Sequence, residues 1–126
     1  MNIPSDLKYT KDHEWVKIEN DILVIGITDF AQGELGDIVY VEVETLNENL
    51  NSEEVFGTVE AVKTVSDLFM PISGEIIEYN DNLIENPELI NSDPYNQGWI
   101  IKVKPTELKE VDSLINFDEY KKIIGT

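Results

Sequence analysis

Cysteine and arginine are both missing from this 126-residue chain, and histidine occurs once, at His13. Without cysteine there is no disulfide, no thiolate metal site and no thiol nucleophile, so any sulfur redox chemistry must come from a bound group. Without arginine, and with a single histidine, serine or cysteine triads are short of parts and an anion clamp would rest on scattered lysines. His13 alone cannot make a metal site and reads as a strand or turn residue. Calcium loops, phosphate loops and dinucleotide fingerprints are also missing. No apolar run approaches the roughly 20 residues that span a bilayer. The opening Met-Asn-Ile-Pro-Ser-Asp-Leu has the pattern of neither a secretory signal nor an arginine-rich transit peptide. The chain is expected in the cytoplasm, or in the mitochondrial matrix if a eukaryotic presequence has been removed.

Negative charge is abundant. Twenty-six acidic residues stand against nine lysines, for a formal charge of −17. Such a surface repels phosphate backbones and anionic lipids, so neither nucleic acid nor membrane is an expected partner; it favours basic docking patches and keeps the chain soluble. Carboxylate pairs arise by chance in a chain this acidic, so they carry no signal for glycosidase-like work.

The length fits one domain, residues 1–126, which by surface scaling buries roughly two thirds of its unfolded surface. No linker or low-complexity segment divides it. Residues 14–18 and 22–25 read as a hairpin around Glu19-Asn20-Asp21. Thr28 caps a short helix that Gly36 ends. Strands are expected over 38–43, 54–62, 65–70, 74–79 and 99–103, with a polar surface loop at 46–54. Asn86-Pro87 reads as a helix start running through Ile90, and Pro105-Thr106-Glu107 and Asn116-Phe117-Asp118-Glu119 as two capped helix starts in a helical carboxyl end, about 105–125. Gly57-Thr-Val with Glu60, and Gly74-Glu-Ile with Glu78, echo one another like two copies of a unit. Together these features give a mostly β, antiparallel domain with short helices.

One cation is set apart. From Ile18 to Ile101 the only basic residue is Lys63, among eighteen acidic ones, at the bend of a hairpin spanning about 54–71. Carboxylates favour the ammonium form, whereas a nucleophilic lysine needs burial or a second cation. Lys63 is therefore better suited to be an attachment point than a free nucleophile.

Glu60-Ala61-Val62-Lys63, with Gly57 before it and Pro71-Ile72-Ser73-Gly74 after it, resembles the lipoyl-lysine hairpin of the glycine cleavage system H proteins. His13-Glu14-Trp15-Val16, Gly26-Ile27-Thr28-Asp29, Leu35-Gly36-Asp37-Ile38-Val39, and Asn86 to Asn91 with Pro94-Tyr95 and Gly98-Trp99 resemble that family's other blocks, in order. The resemblance covers about residues 6–124. It implies a barrel-sandwich hybrid of the lipoyl/biotinyl carrier type, in which Gly57, Glu60 and Gly74 shape the hairpin and Lys63 bears lipoic acid in amide linkage. It also implies a carrier and not an enzyme. The carrier takes the aminomethyl group of glycine from a pyridoxal-phosphate glycine decarboxylase to a tetrahydrofolate-dependent aminomethyltransferase, and then presents its dithiol to dihydrolipoamide dehydrogenase. A lipoate-attaching enzyme is a further implied partner, and a monomer is expected.

The family's arm-holding acids fall on Glu14 and Asp67, whose bland alternatives are a solvated strand acid and a plain hairpin acid. A third arm-contacting position, often serine, is Asp12 here, which makes the site more negative; His13 is a further candidate beside the arm. Ala61 replaces a frequent serine without evident consequence. Phe69-Met70 offers an apolar extension of a partner-facing surface. Trp15, Tyr95 and Trp99 read as core or rim aromatics. Other readings stay open: an H-like lipoate relay, another swinging-arm domain, or an unmodified acidic binding module. Biotin carriers favour methionines where Val62 and Thr64 flank the lysine, and dehydrogenase lipoyl domains favour Asp-Lys.

Overall fold

The computed structural model describes residues 1–126. In chain order the strands and helices are β1 (Lys8–Tyr9), β2 (Glu14–Glu19), β3 (Ile22–Ile27), α1 (Asp29–Leu35), β4 (Ile38–Glu42), β5 (Asn49–Leu50), β6 (Val55–Ala61) and β7 (Val65–Phe69). They continue with β8 (Gly74–Tyr79), α2 (Asn82–Glu85), α3 (Leu89–Ser92), β9 (Ile101–Pro105), a 3₁₀ turn (Leu108–Ser113) and α4 (Phe117–Ile123). Two antiparallel sheets result: six strands in the order β1-β2-β3-β9-β8-β5, and three in the order β4-β6-β7. No helix is long and apolar enough to cross a membrane.

The first hairpin forms as its alternation requires. β2 and β3 pair in continuous register from Glu14↔Ile27 to Glu19↔Ile22, and Asn20 adopts φ 59 at the bend, a conformation asparagine tolerates better than most residues. β3 is buried along nearly its whole length because it has a core on each face. Ile25 and Ile27 join Val41, Val59, Leu68, Ile72, Ile76 and Val103 in the main cluster between the sheets. On the other face Val24 and Trp15 meet Leu7, Tyr9 and Tyr120 of α4. The helical carboxyl end thus packs against the sheet through Tyr120.

Helix ends follow local chemistry where a side chain can supply the cap. The Thr28 hydroxyl accepts the Ala31 N–H, and Gly36 at φ 82 ends α1. α4 carries the anticipated capping box, with Asn116 Oδ1 accepting from Glu119 N–H and Glu119 Oε1 from Asn116 N–H.

Several expectations are corrected. Pro105 is the last residue of β9, and the turn after it is 3₁₀ without a side-chain cap; hydrogen bonding to β8 takes Pro105 into the sheet, where it pairs with Gly74. Likewise α3 begins at Leu89 instead of at Pro87, and α2 and β1 had no signal of their own at four and two residues. The 46–54 loop contains β5, paired with β8. Met70 belongs to the main core at 1 % exposure, so the apolar extension toward a partner reduces to half-buried Phe69.

The echo between the glycine units has a structural counterpart. A Cβ on Gly57 would collide with the Glu42 carbonyl oxygen, and one on Gly74 would lie 2.6 Å from the Lys104 carbonyl oxygen. Each glycine lets its strand close on its neighbour, β6 on β4 and β8 on β9.

Candidate functional site

The tip of the β6–β7 hairpin is Val62-Lys63-Thr64, all exposed, with Val62 at 70 %. Below it Ala61 N–H donates to Thr64 O at 2.8 Å, and Val62 N–H donates to Asp37 O at 3.1 Å. The second bond ties the tip to the segment joining α1 to β4. Asn91 fixes that segment in turn: Oδ1 accepts Ile38 N–H, and Nδ2 donates to Gly36 O and Gln32 Oε1, each at 2.9 Å. Lys63 takes part in none of the chain's three ion pairs, which join Lys11 to Glu53, Lys17 to Glu19 and Lys102 to Glu78. Its root is fixed while its amine is free.

Two concavities meet beside this tip. One, about 360 Å³, runs from Lys63 and Val62 along Gly33 to Asp37. The other, about 350 Å³, continues from Glu34 and Leu35, which the two share, toward Asp12, His13 and Asp67. Its floor is apolar, made by Ile27, Phe30, Val59 and Leu68. α1 shapes both: none of its seven residues is fully buried, and its apolar side chains cover the sheet edge only in part. A flexible apolar chain rooted at Lys63 could lie along this path and bring a polar end to the acids.

Asp12 and Asp67 line the groove, one from the β1–β2 turn and one from β7. Glu14 does not line it. It is 2 % exposed, so the solvated-acid alternative is excluded. Its Oε2 accepts Phe69 N–H at 2.8 Å, joining β2 to the lysine hairpin, and its Oε1 accepts the Thr10 hydroxyl at 3.1 Å. Burial pushes its pKa up to about 8; the Phe69 N–H pulls back, Asp12 adds to the rise, and the Thr10 bond again opposes it. Glu60 lies on the exposed face of β6 opposite Tyr40 and Val65 and lines neither of these concavities.

Glu34, Leu35, Phe30 and Ser66 were not legible as site residues. The helix that holds the first three was readable from its Thr28 cap, but its seat against the hairpin depends on contacts distant in sequence, above all those of Asn91.

A free lysine at a rigid hairpin tip, on an antiparallel sandwich with a groove leading away from it, defines a swinging-arm carrier domain. A family model described as Glycine cleavage H-protein matches residues 7–126. Curated relatives named glycine cleavage system H protein include one from Bacteroides thetaiotaomicron, 52 % identical over 125 residues, and one from Staphylococcus haemolyticus, 48 % identical, each alignment covering 99 % of both chains. The crystal structure of a glycine cleavage system H protein from Mycobacterium marinum superposes with a TM-score of 0.90 at 39 % identity, covering 98 % of this chain and 100 % of that one. The chain belongs to the glycine cleavage H-protein family. It is a carrier component of the glycine cleavage system and not a catalyst, and its cofactor is a covalently attached lipoyl group.

Proposed function

We propose that Lys63 is the residue that bears the lipoyl group and that the groove leading to Asp12 and Asp67 receives the arm. The observation that carries this reading is the continuity of the path: Lys63 opens onto a concavity that shares Glu34 and Leu35 with the acid-lined one. The residues fit the group. An exposed amine suits amide formation, and the floor of Ile27, Phe30, Val59 and Leu68 suits an alkyl chain. When bound, the lipoyl group supplies the sulfur chemistry this cysteine-free chain lacks, carrying the one-carbon amine of glycine and cycling between dithiol and dithiolane.

The chain's own contribution is to hold and to shield. Asp12 and Asp67 are placed to pair with an ammonium, and such charge-assisted bonds strengthen as the apolar floor excludes water. Glu14 acts from behind the wall, keeping Phe69 and with it the β7 leg against β2. Gly57 and Gly74 keep the strands close enough for this geometry, and Glu60 keeps the outer hairpin face polar. The single domain, acting as a monomer in the cytoplasm, serves in turn the pyridoxal-phosphate glycine decarboxylase, the aminomethyltransferase and dihydrolipoamide dehydrogenase, after a lipoate-attaching enzyme has acted.

Intact mass of the protein from cells supplied with lipoate tests the attachment. A gain of one lipoyl group that vanishes in Lys63→Ala supports the reading; an unmodified native chain rejects it. Glu14→Ala is expected to shorten the lifetime of the loaded carrier without preventing acylation, and unchanged decay would remove Glu14 from the holding apparatus.

A further inference from the structure

Among the polar side chains of the acid-lined groove, His13 is the one that can present a ring N–H. The residue sits at φ 67, fixed by His13 N–H to Thr10 O at 3.1 Å and by Thr28 N–H to His13 O at 3.0 Å. The ring packs on Phe30 with centroids 4.9 Å apart. Its Nδ1 lies 2.9 Å from the Tyr120 hydroxyl, which lies 2.7 Å from Thr28 Oγ1. Nε2 makes no hydrogen bond within the chain. Thr28 and Tyr120 are both fully buried.

The direction of the protons follows from satisfying every buried donor. Thr28 Oγ1 already accepts the Ala31 N–H as the cap of α1, at 3.2 Å. The hydroxyl's one other partner is Tyr120 Oη, so Thr28 donates there. The single Tyr120 proton must then go to His13 Nδ1. That makes Nδ1 an acceptor and leaves the ring proton on Nε2. Protonating the ring would make Nδ1 a donor to Tyr120 Oη, and either the Tyr120 proton or the Thr28 proton would then be left buried without an acceptor, which is costly. Burial lowers the His13 pKa in the same sense, against the opposing charges of Asp12 and Glu34 that face it.

We infer that Tyr120 is a positioning residue of the arm groove: together with Thr28 it holds His13 as the neutral Nε2–H tautomer, so that the wall offers an uncharged donor among carboxylate acceptors. The inference rests on the reading that this groove receives the arm. An imidazolium here would repel a cationic cargo and pair with Asp12 or Glu34. A neutral ring does neither, leaves Asp12 and Asp67 free for an ammonium, and keeps Nε2–H for an acceptor atom on the arm or its cargo.

Because the chain has one histidine, a long-range ¹H–¹⁵N correlation spectrum of the full-length, unacylated protein reads both ring nitrogens without ambiguity. At neutral pH the expected pattern is a pyrrole-type Nε2 and a pyridine-type Nδ1. Tyr120→Phe keeps the ring stacked on Tyr9, where the centroids are 4.6 Å apart. It is expected to mix the tautomers and raise the His13 titration midpoint, whereas Thr28→Ser, which keeps the hydroxyl, is expected to leave both unchanged. A wild-type ring protonated on Nδ1, or a Tyr120→Phe spectrum with the wild-type tautomer, overturns the assignment. These measurements need no arm and so stand apart from where the arm lies. On the acylated and loaded protein the Nε2 resonance is expected to shift; a fixed tautomer with no shift on loading overturns the link between His13 and the arm.

Discussion

Lys63 and Asn80 occupy the same step of a repeated pattern, six residues beyond Gly57 (57 to 63) and six beyond Gly74 (74 to 80). Both units start at a glycine pressed against the neighbouring strand's carbonyl, and both run out along a strand. The outcomes are opposite. β6 turns straight back into β7, and Lys63 is exposed. β8 runs beneath residues 97–99, and Asn80 is 2 % exposed, its Nδ2 donating to Gln97 O at 2.8 Å and Trp99 O at 2.7 Å while its Oδ1 accepts Asn82 N–H at 3.2 Å. The strand pattern alone therefore does not make a site. What the next segment does, folding back or crossing over, decides whether a polar side chain becomes a handle or a staple.

Substitutions can separate the two roles. The largest effect is expected from Lys63→Ala, which should abolish acylation altogether while leaving the thermal midpoint unchanged, since no contact is lost at an exposed tip; a fall in midpoint would show that the lysine has a structural task. Next come the shared glycines. Gly57→Ala and Gly74→Ala force a Cβ onto a backbone carbonyl and should each cost about 3 kcal/mol in denaturant unfolding. Gly33→Ala, where nothing lies within 4 Å, should instead gain about 0.5–1 kcal/mol as a helix-interior replacement. Equal effects at all three would mean that strand closure is not the reason for the glycines.

Asn80→Ala leaves two carbonyls without their donor and is expected to cost about 2 kcal/mol by the same assay, with acylation of Lys63 unimpaired. An effect that depends on pH is expected at Glu14. Its pKa rises from 4.5 to about 8 on folding. The native state therefore binds the extra proton between those values, and stability falls as pH rises through that window. Glu14→Gln should remove this component, making the variant more stable than wild type at pH 8 and similar to it at pH 4. Parallel stability curves for the two proteins would show that Glu14 is ionised in the fold.

Much of this was readable from residue order. The alternation of Glu14 to Ile18 and the β-branched run after Asp21 gave the first hairpin, Thr28 and Asn116 gave two helix starts, and an isolated cation gave the tip. Sequence was silent where partners lie far apart. Glu14 looks like any strand acid until Phe69, fifty-five residues away, brings its N–H. Met70 looks like a surface residue beside a turn until the second sheet covers it. Pro105 looks like a helix start because nothing local reports its pairing with Gly74. The seat of α1 beside Lys63 depends on Asn91, fifty-three residues beyond Ile38.

The hydroxyl of Tyr120 reaches an imidazole 107 positions earlier. The strands β4, β6 and β7, all within residues 38–69, leave the ribosome before Tyr120 does, yet their inward side chains Val41, Val59 and Leu68 share one core with Ile76 and Val103 of strands made later. Because such a domain folds as a unit, the handle and the wall of its berth are completed in one event, once translation has supplied β8, β9 and the helix that carries Tyr120.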